Sequence, residues 1–346
     1  MTTRLHGIFT PNLVPLTARG DVDELKLADY VNWLIDRGVH GLYPNGSVGE
    51  FVRFSLEERR RIAKVVCGTC AARGVPVMVG ATEAHTRDIL ASCDLYASFG
   101  ARAISLLPPI YFKLSSESLY AYFAEVARSA PIDITLYNIP LFATPIDVPL
   151  LMRVASEFPR IIGIKDSSGD VAHLARMINA VKPRRPDFVF FSGWEAALVP
   201  QLLLGADGGV HATSNVLPEL TRMMYDHFRA GRMNEAVKLQ LRLMEFFDLM
   251  LSGGADFPDG VRVGAELRGH DLGKSRQPIT EKQQVDRKKL ATMMQCVMSE
   301  FGVVDAPVGG CALREPKGTI DVAHDVEVQR VTEAVVASLK ARGLVE

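Results

Sequence analysis

The feature that most constrains this chain is a repeat: a short apolar run followed by a helical pattern, eight times within about 230 residues. The runs are GIFTPNLV (7–14), GLYPNG (41–46), VPVMVGAT (75–82), ARAISLLPP (101–109), IDITLYNIP (132–140), IIGIK (161–165), DFVFFSGW (187–194) and GGVHATSN (208–215). They are continuous rather than alternating, as parallel strands covered on both faces should be. The first is followed by a helical stripe of Leu25, Leu27, Val31, Leu34 and Ile35 that ends before Gly38. Helical spacing predicts the others over 55–72, 86–99, 116–129, 147–157, 170–181, 195–204 and 218–230. Ser55 with Glu58 three residues on reads as a capping box. Glycines in DRGVHGLY, SFGARAIS and LLGADGGV fall where a helix end needs a left-handed residue. Eight such units predict an α/β chain, and a (β/α)8 TIM barrel rather than an open doubly wound sheet.

The barrel is expected to occupy residues 1–230. A C-terminal helical extension packed on it is expected over 231–300, with helices at 232–251, about 257–268 and 281–299. Residues 301–346 are an extra tail, in which Val328, Val331, Val335 and Leu339 make the stripe of a terminal amphipathic helix.

Composition excludes several function classes. A net charge of -1 gives no electrostatic footprint for nucleic acid or an acidic membrane surface. No apolar run approaches the roughly 20 residues of a membrane span, and the first residues lack the apolar core of a signal peptide. Five cysteines do not suggest a disulfide framework, so a cytoplasmic protein is expected. Cys67 and Cys70 spell C-x-x-C, but no second pair or histidine set follows to complete a zinc site, and a redox pair would sit at a helix start. A structural role is expected for them.

Chemistry in such a barrel lies at the C-terminal ends of the strands. Strand two ends in PNGSVGE, offering Ser47 and bare backbone N–H groups. Tyr111 follows strand four, Tyr137 ends strand five and Lys165 ends strand six. Strand seven gives Trp194 and Glu195; strand eight gives His211 and Thr213. Lys165 is the sharpest of these. A lysine sheltered in a barrel mouth is partly desolvated, which disfavours the ammonium, and a neutral amine can form an imine with a ketone. The plain alternative is a surface lysine paired with Asp166. Adjacent parallel strands lie about 4.8 Å apart, so the Tyr137 phenol can face the amine and move protons, or can simply pack. Gly46 and Gly49 let the backbone approach a carboxylate, with consecutive N–H groups as its cradle; the same glycines equally suit an ordinary turn.

At three stretches the chain resembles the dihydrodipicolinate synthase / N-acetylneuraminate lyase (DapA-like) family of Schiff-base class I aldolases. GSVGE is similar to that family's G-[ST]-[ST]-G-E loop, YNIP to its Y-N-x-P, and GIKDSSGD to its Schiff-base segment. The three stand in family order, and the resemblance spans about residues 5–298. It implies that Lys165 forms an imine with pyruvate or a 2-keto acid and that Tyr137 is the proton-transferring phenol. Ser47 would relay protons between Tyr137 and Tyr111, the latter contributed by a neighbouring subunit. Backbone N–H groups of Ser47 and Val48, beside Gly46, would hold the pyruvyl carboxylate, with Gly193 and Val210 walling the pocket. It also implies a homotetramer built as a dimer of dimers, small-molecule keto acid and aldehyde substrates, and no cofactor beyond the covalent imine, with no metal.

Two departures bear on the substrate. Val48 stands where the family has a hydroxyl that bonds the carboxylate, a loss of roughly 1 kcal/mol. Phe142 stands where synthases of the lysine pathway carry an arginine for aspartate semialdehyde, and a phenyl ring cannot make that charge-assisted contact. Among neuraminate lyase sugar-binding positions, Glu195 keeps an acid while Ala196 and Ala212 do not. Phe142, Trp194, Glu195 and His211 are therefore the expected lining of an acceptor pocket, although Trp194 and His211 also suit helix–strand packing. The leading reading is aldol cleavage or condensation of a 2-keto-3-deoxy-type acid. Alternatives are a dehydratase of a 2-keto-3-deoxy sugar acid, the dihydrodipicolinate synthase reaction, and a keto-acid-binding protein without turnover. A barrel binding a phosphorylated ligand or flavin would want a glycine-rich loop after strands seven and eight, and GADGG (205–209) precedes strand eight instead.

Overall fold

The computed structural model of the chain describes residues 4–252, 256–280, 283–305 and 311. Eight parallel strands form the centre: β1 (Gly7–Thr10), β2 (Gly41–Leu42), β3 (Met78–Gly80), β4 (Ala103–Leu106), β5 (Asp133–Asn138), β6 (Ile161–Asp166), β7 (Val189–Ser192) and β8 (Gly208–Val210). Their hydrogen-bonded order is β2-β1-β8-β7-β6-β5-β4-β3. A parallel bridge from Leu42 to Val77 brings the two ends together, so the fold is the expected (β/α)8 TIM barrel. Strands are shorter than the apolar runs that predict them. The second run keeps only two residues in the sheet, because Asn45, at φ +59°, and Glu50, at φ +56°, turn the chain into a loop.

The covering helices are α1 (Glu24–Asp36), α2 (Leu56–Ala71), α3 (Thr86–Ser98), α4 (Ser116–Ser129), α5 (Val148–Glu157), α6 (Val171–Val181), α7 (Leu198–Leu203) and α8 (Pro218–Arg229). Their starts follow the sequence closely. The capping box at α2 forms, with Ser55 Oγ accepting from Glu58 N and Glu58 Oε2 accepting from Ser55 N at 2.8 Å. Asp147 and Asp170 cap α5 and α6 in the same way; each such cap stabilises its helix by about 0.5–2 kcal/mol. At the other ends Gly38, Gly100 and Gly205 adopt φ of +87°, +84° and +104°, the left-handed geometry their positions predict.

Inside the barrel, Leu5, Phe9, Tyr43, Met78, Ala103, Val189, Phe191 and Val210 make a compact cluster. Phe9 and Phe191 meet edge to face at 5.2 Å. This plug closes the barrel below the strand ends, leaving only the upper mouth open to chemistry. Cys67 and Cys70 are buried free thiols on α2, pushed up to about 12 by burial, which suits packing rather than redox exchange.

Three helices follow: α9 (Met233–Met250), α10 (Asp259–Leu267) and α11 (Arg287–Glu300). They belong to the same compact unit as the barrel, Met1–Val304. Arg262 of α10 is buried and bonds Glu50 at 3.0 Å together with the carbonyls of Val14, Leu272 and Gly273. The extension is thereby tied to the loop after β2. The terminal amphipathic helix expected in the tail lies outside the described residues. Among the described residues no helix is long and apolar enough to cross a membrane.

Candidate active site

Lys165 leaves the end of β6 into the mouth of the barrel. It is paired in register with Tyr137 of β5 on one side and Phe191 of β7 on the other. The side chain is 4% exposed. Its Nζ lies 4.2 Å from the ring centre of Tyr137 and 4.9 Å from that of Tyr43. Asp166 does not pair with it. That carboxylate accepts from Asn138 Nδ2 at 2.6 Å and Ser168 Oγ at 2.7 Å, and burial pushes its pKa up. The amine is therefore held between aromatic faces rather than against an acid.

Gly193, just past β7, packs directly on this lysine. A Cβ there would sit 2.0 Å from Ser167 Oγ, 2.8 Å from Lys165 Cε and 3.0 Å from the Asp166 carbonyl. The Gly193 N–H donates to that same carbonyl at 2.7 Å, and its own carbonyl accepts from Ser167 Oγ at 3.1 Å. Val210 is buried in the plug beneath.

The loop after β2 brings Ser47 and Val48 to the same mouth. The Ser47 carbonyl accepts from Glu50 N at 3.0 Å and the Gly46 carbonyl from Phe51 N at 3.3 Å. The N–H groups of Ser47 and Val48 have no acceptor among the described residues, so they are free for an anion. Gly49 lets the loop close on β1: a Cβ would lie 2.9 Å from the Asn12 carbonyl. Ser47 and Phe142 line one cavity of about 250 Å³, with Phe51, Leu107 and Ile110 on its apolar side.

Other expected residues stand apart. Tyr111 has φ +83°, is 90% exposed, and meets Phe112 edge to face at 4.9 Å. Within one chain it does not reach Lys165. Trp194 is half exposed and lies against Gly169, whose added Cβ would meet the indole at 3.2 Å. Glu195 turns toward the loop after β8, bonding Ala212 N, Thr213 N (3.3 Å) and Thr213 Oγ1. Burial pushes it up to about 7, against the opposing pull of these bonds and of Lys165. His211 is buried beneath the rim, with Nε2 3.3 Å from Ser192 Oγ. Val210 points into the barrel, so His211 next to it points out toward the helices. Burial, then the Lys165 charge, hold it down to about 3, so it is neutral.

Two contacts were not anticipated from the sequence. Tyr43 faces Lys165, donates to Ser105 Oγ at 3.1 Å and meets Tyr137 edge to face at 6.3 Å; burial raises its pKa. Ser167 reaches to 3.5 Å from the Tyr137 hydroxyl. Both carry a weak signal: Tyr43 lies two residues past the start of its run, and Ser167 two past Lys165. Among the described residues no three His, Cys, Asp or Glu side chains group as metal ligands.

The sequence and fold both have known relatives. A family model described as the dihydrodipicolinate synthetase family matches residues 4–297. An uncharacterized DapA-like lyase of Thermofilum pendens is 29% identical, covering 84% of this chain and 97% of that protein. The probable 2-dehydro-3-deoxy-D-pentonate aldolase YjhH of Escherichia coli is 31% identical over 70% of this chain and 80% of its own length. Among solved structures, YagE, a prophage protein of E. coli K12 in complex with pyruvate, superposes with a TM-score of 0.78 at 30% identity. It covers 85% of this chain and 98% of that one. The chain belongs to the dihydrodipicolinate synthetase family, and it is a lyase of that family's aldolase type.

Proposed function

We propose that the protein is a class I lyase that cleaves, or forms, a 2-keto-3-deoxy-type acid through an imine on Lys165, with pyruvate as the keto product. The observation that carries this reading is a buried amine faced by a phenol and, among the described residues, engaged by no carboxylate. YjhH is named a probable aldolase for such an acid, and YagE is titled as a complex with pyruvate, which supports the same class.

The Lys165 amine adds to the C2 carbonyl and water leaves, giving the imine. Tyr137, having given its proton to the hydroxyl that leaves as water, takes the proton of the C4 hydroxyl as the C3–C4 bond breaks. The electron pair passes to the imine nitrogen, releasing an aldehyde and leaving an enamine. A proton at C3 and water at C2 then free pyruvate and restore the amine. The open N–H groups of Ser47 and Val48 suit the carboxylate, and in this reading Ser47 passes protons between Tyr137 and the Tyr111 of a neighbouring copy. A homotetramer, as a dimer of dimers, belongs to this reading. Phe142, half exposed at the cavity rim, favours an aldehyde partner without a second carboxylate. No further cofactor enters these steps.

Borohydride trapping with pyruvate, followed by peptide mass mapping, tests the imine. A reduced pyruvyl adduct on Lys165, absent in Lys165→Ala, is expected. Tyr137→Phe should lower turnover of a 2-keto-3-deoxy acid by about 10²–10⁴-fold. An adduct elsewhere, or none together with no release of pyruvate from such acids, would overturn the proposal. Loss of water without an aldehyde product would move the reaction to dehydration on the same imine.

A further inference from the structure

The C-terminal helices border a second and larger cavity, of about 500 Å³, that none of the chemistry above uses. It falls within the roughly 300–1,000 Å³ range of small-molecule sites. Asp259, the first residue of α10, lines it. Asp259 is 6% exposed, and among the described residues no donor lies within hydrogen-bond distance of either carboxylate oxygen. A buried carboxylate without donors is costly.

Among the described residues the surrounding groups bond mainly to other partners. Arg262 directs its guanidinium to Glu50 and to the carbonyls of Val14, Leu272 and Gly273. Glu266 pairs with Arg287 at 2.7 Å. The Ser275 hydroxyl donates to Glu50 at 3.5 Å and accepts from Arg53 and Gln277 N. Burial raises the pKa of Asp259; the nearby Ser275 hydroxyl opposes this most, Glu50 adds to the rise, and Arg53 and Arg262 oppose it. The cavity's remaining walls include the apolar side chains of Val263, Ile279 and Val285. A multivalent metal ion would want several acids, and among the described residues no such group exists. Lys274 also lines the cavity, while Glu266 with Arg287 and Arg262 with Glu50 are paired, so Asp259 beside the apolar wall is the acid left to take a single ammonium on a carbon chain.

We propose that this cavity is a binding site for a small organic ammonium compound. Its ammonium is bonded by Asp259, and its chain lies against Val263, Ile279 and Val285. A primary ammonium brings three donors to the two carboxylate oxygens, and the charge-assisted bonds are of the stronger kind.

The test uses n-pentylamine as the probe and the full chain, with n-pentanol as the uncharged match. Calorimetry should show saturable binding of the amine, absent for the alcohol and weakened about tenfold or more in Asp259→Asn. In the wild-type chain, methyl resonances of Val263 and Val285 should shift on titration while those of Val210, in the barrel plug, stay still. Lys165→Ala should bind the amine unchanged, which separates this site from the imine chemistry. Equal affinity for amine and alcohol, undiminished affinity in Asp259→Asn, or shifts at Val210 in place of Val263 and Val285 would overturn it. So would displacement of the amine by potassium chloride beyond that of a non-coordinating salt at equal ionic strength. Should Asp259→Asn fail to fold, the wild-type methyl map with amine against alcohol decides alone.

Discussion

Gly193 has no room for a side chain. Its missing Cβ would overlap Ser167 Oγ at 2.0 Å and press on Lys165 Cε at 2.8 Å. The lysine stem and the serine that approaches Tyr137 are thus held by the same backbone atom. Gly193→Ala must push one of them away. Overpacking of this kind costs about 1–3 kcal/mol, which in a transition state is a loss of roughly 5–150-fold in rate. We expect kcat to fall within that range and pyruvate trapping on Lys165 to slow, with secondary structure by circular dichroism unchanged. Trapping at the wild-type rate would mean that Gly193 does not position the amine. Position made Lys165 legible in the sequence, because a long side chain closing an apolar, β-branched run has only the strand end to occupy. Its neighbour Tyr43 was not legible, since a tyrosine inside an apolar run reads equally as core.

The loops after β7 and β8 show what periodicity can and cannot reveal about an element. The sequence predicts a helix over 195–204, but the chain makes a 3₁₀ turn, Glu195–Ala197, before α7 at Leu198–Leu203. Glu195 is drawn out of helical register to bond Ala212 and Thr213 across the mouth, a long-range contact that local spacing does not encode. Likewise the alternation of β8 turns His211 away from the mouth, which its place in the sequence next to Val210 already implies. These two groups titrate in opposite senses. Folded Glu195 keeps its proton up to about pH 7, against 4.5 for the ordinary group. The folded state therefore binds more protons between those values, and stability falls as pH rises through them. His211, held down to about 3 from 6.5, binds fewer protons when folded, so its contribution rises with pH across that interval and is complete above it. Glu195→Gln removes the first effect and leaves the second. The melting temperature of wild type minus that of Glu195→Gln should therefore decline from pH 4.5 to pH 7 and level off above. A difference that does not change with pH would show that Glu195 ionises as an ordinary carboxylate.

At the scale of the whole molecule, one chain leaves its proposed proton relay unfinished. Tyr111, 90% exposed, stands in an apolar surface with Val52, Ile110, Phe112, Leu141 and Phe142. The Ile110–Ala143 bridge ties the loops after β4 and β5 into one ledge. Exposed apolar side chains gathered on one ledge suit an interaction face, and a two-fold contact would let each copy lend Tyr111 to the other. Sequence periodicity reports which residues a chain buries against itself, so it gave the barrel but was silent on this ledge; there the expectation rested on resemblance alone. The shared-site arrangement makes a sharp prediction. Lys165→Ala lacks the amine and Tyr111→Phe lacks the borrowed phenol, so each alone should be nearly inactive. Unfolded together and refolded, they form mixed pairs in which the Tyr111→Phe copy keeps Lys165 and receives Tyr111 from its partner. Random pairing makes half of the pairs mixed, each with one intact site in two, so about a quarter of wild-type activity should return. Activity that stays at the sum of the two variants would place Tyr111 outside the neighbour's site and leave the relay within a single chain.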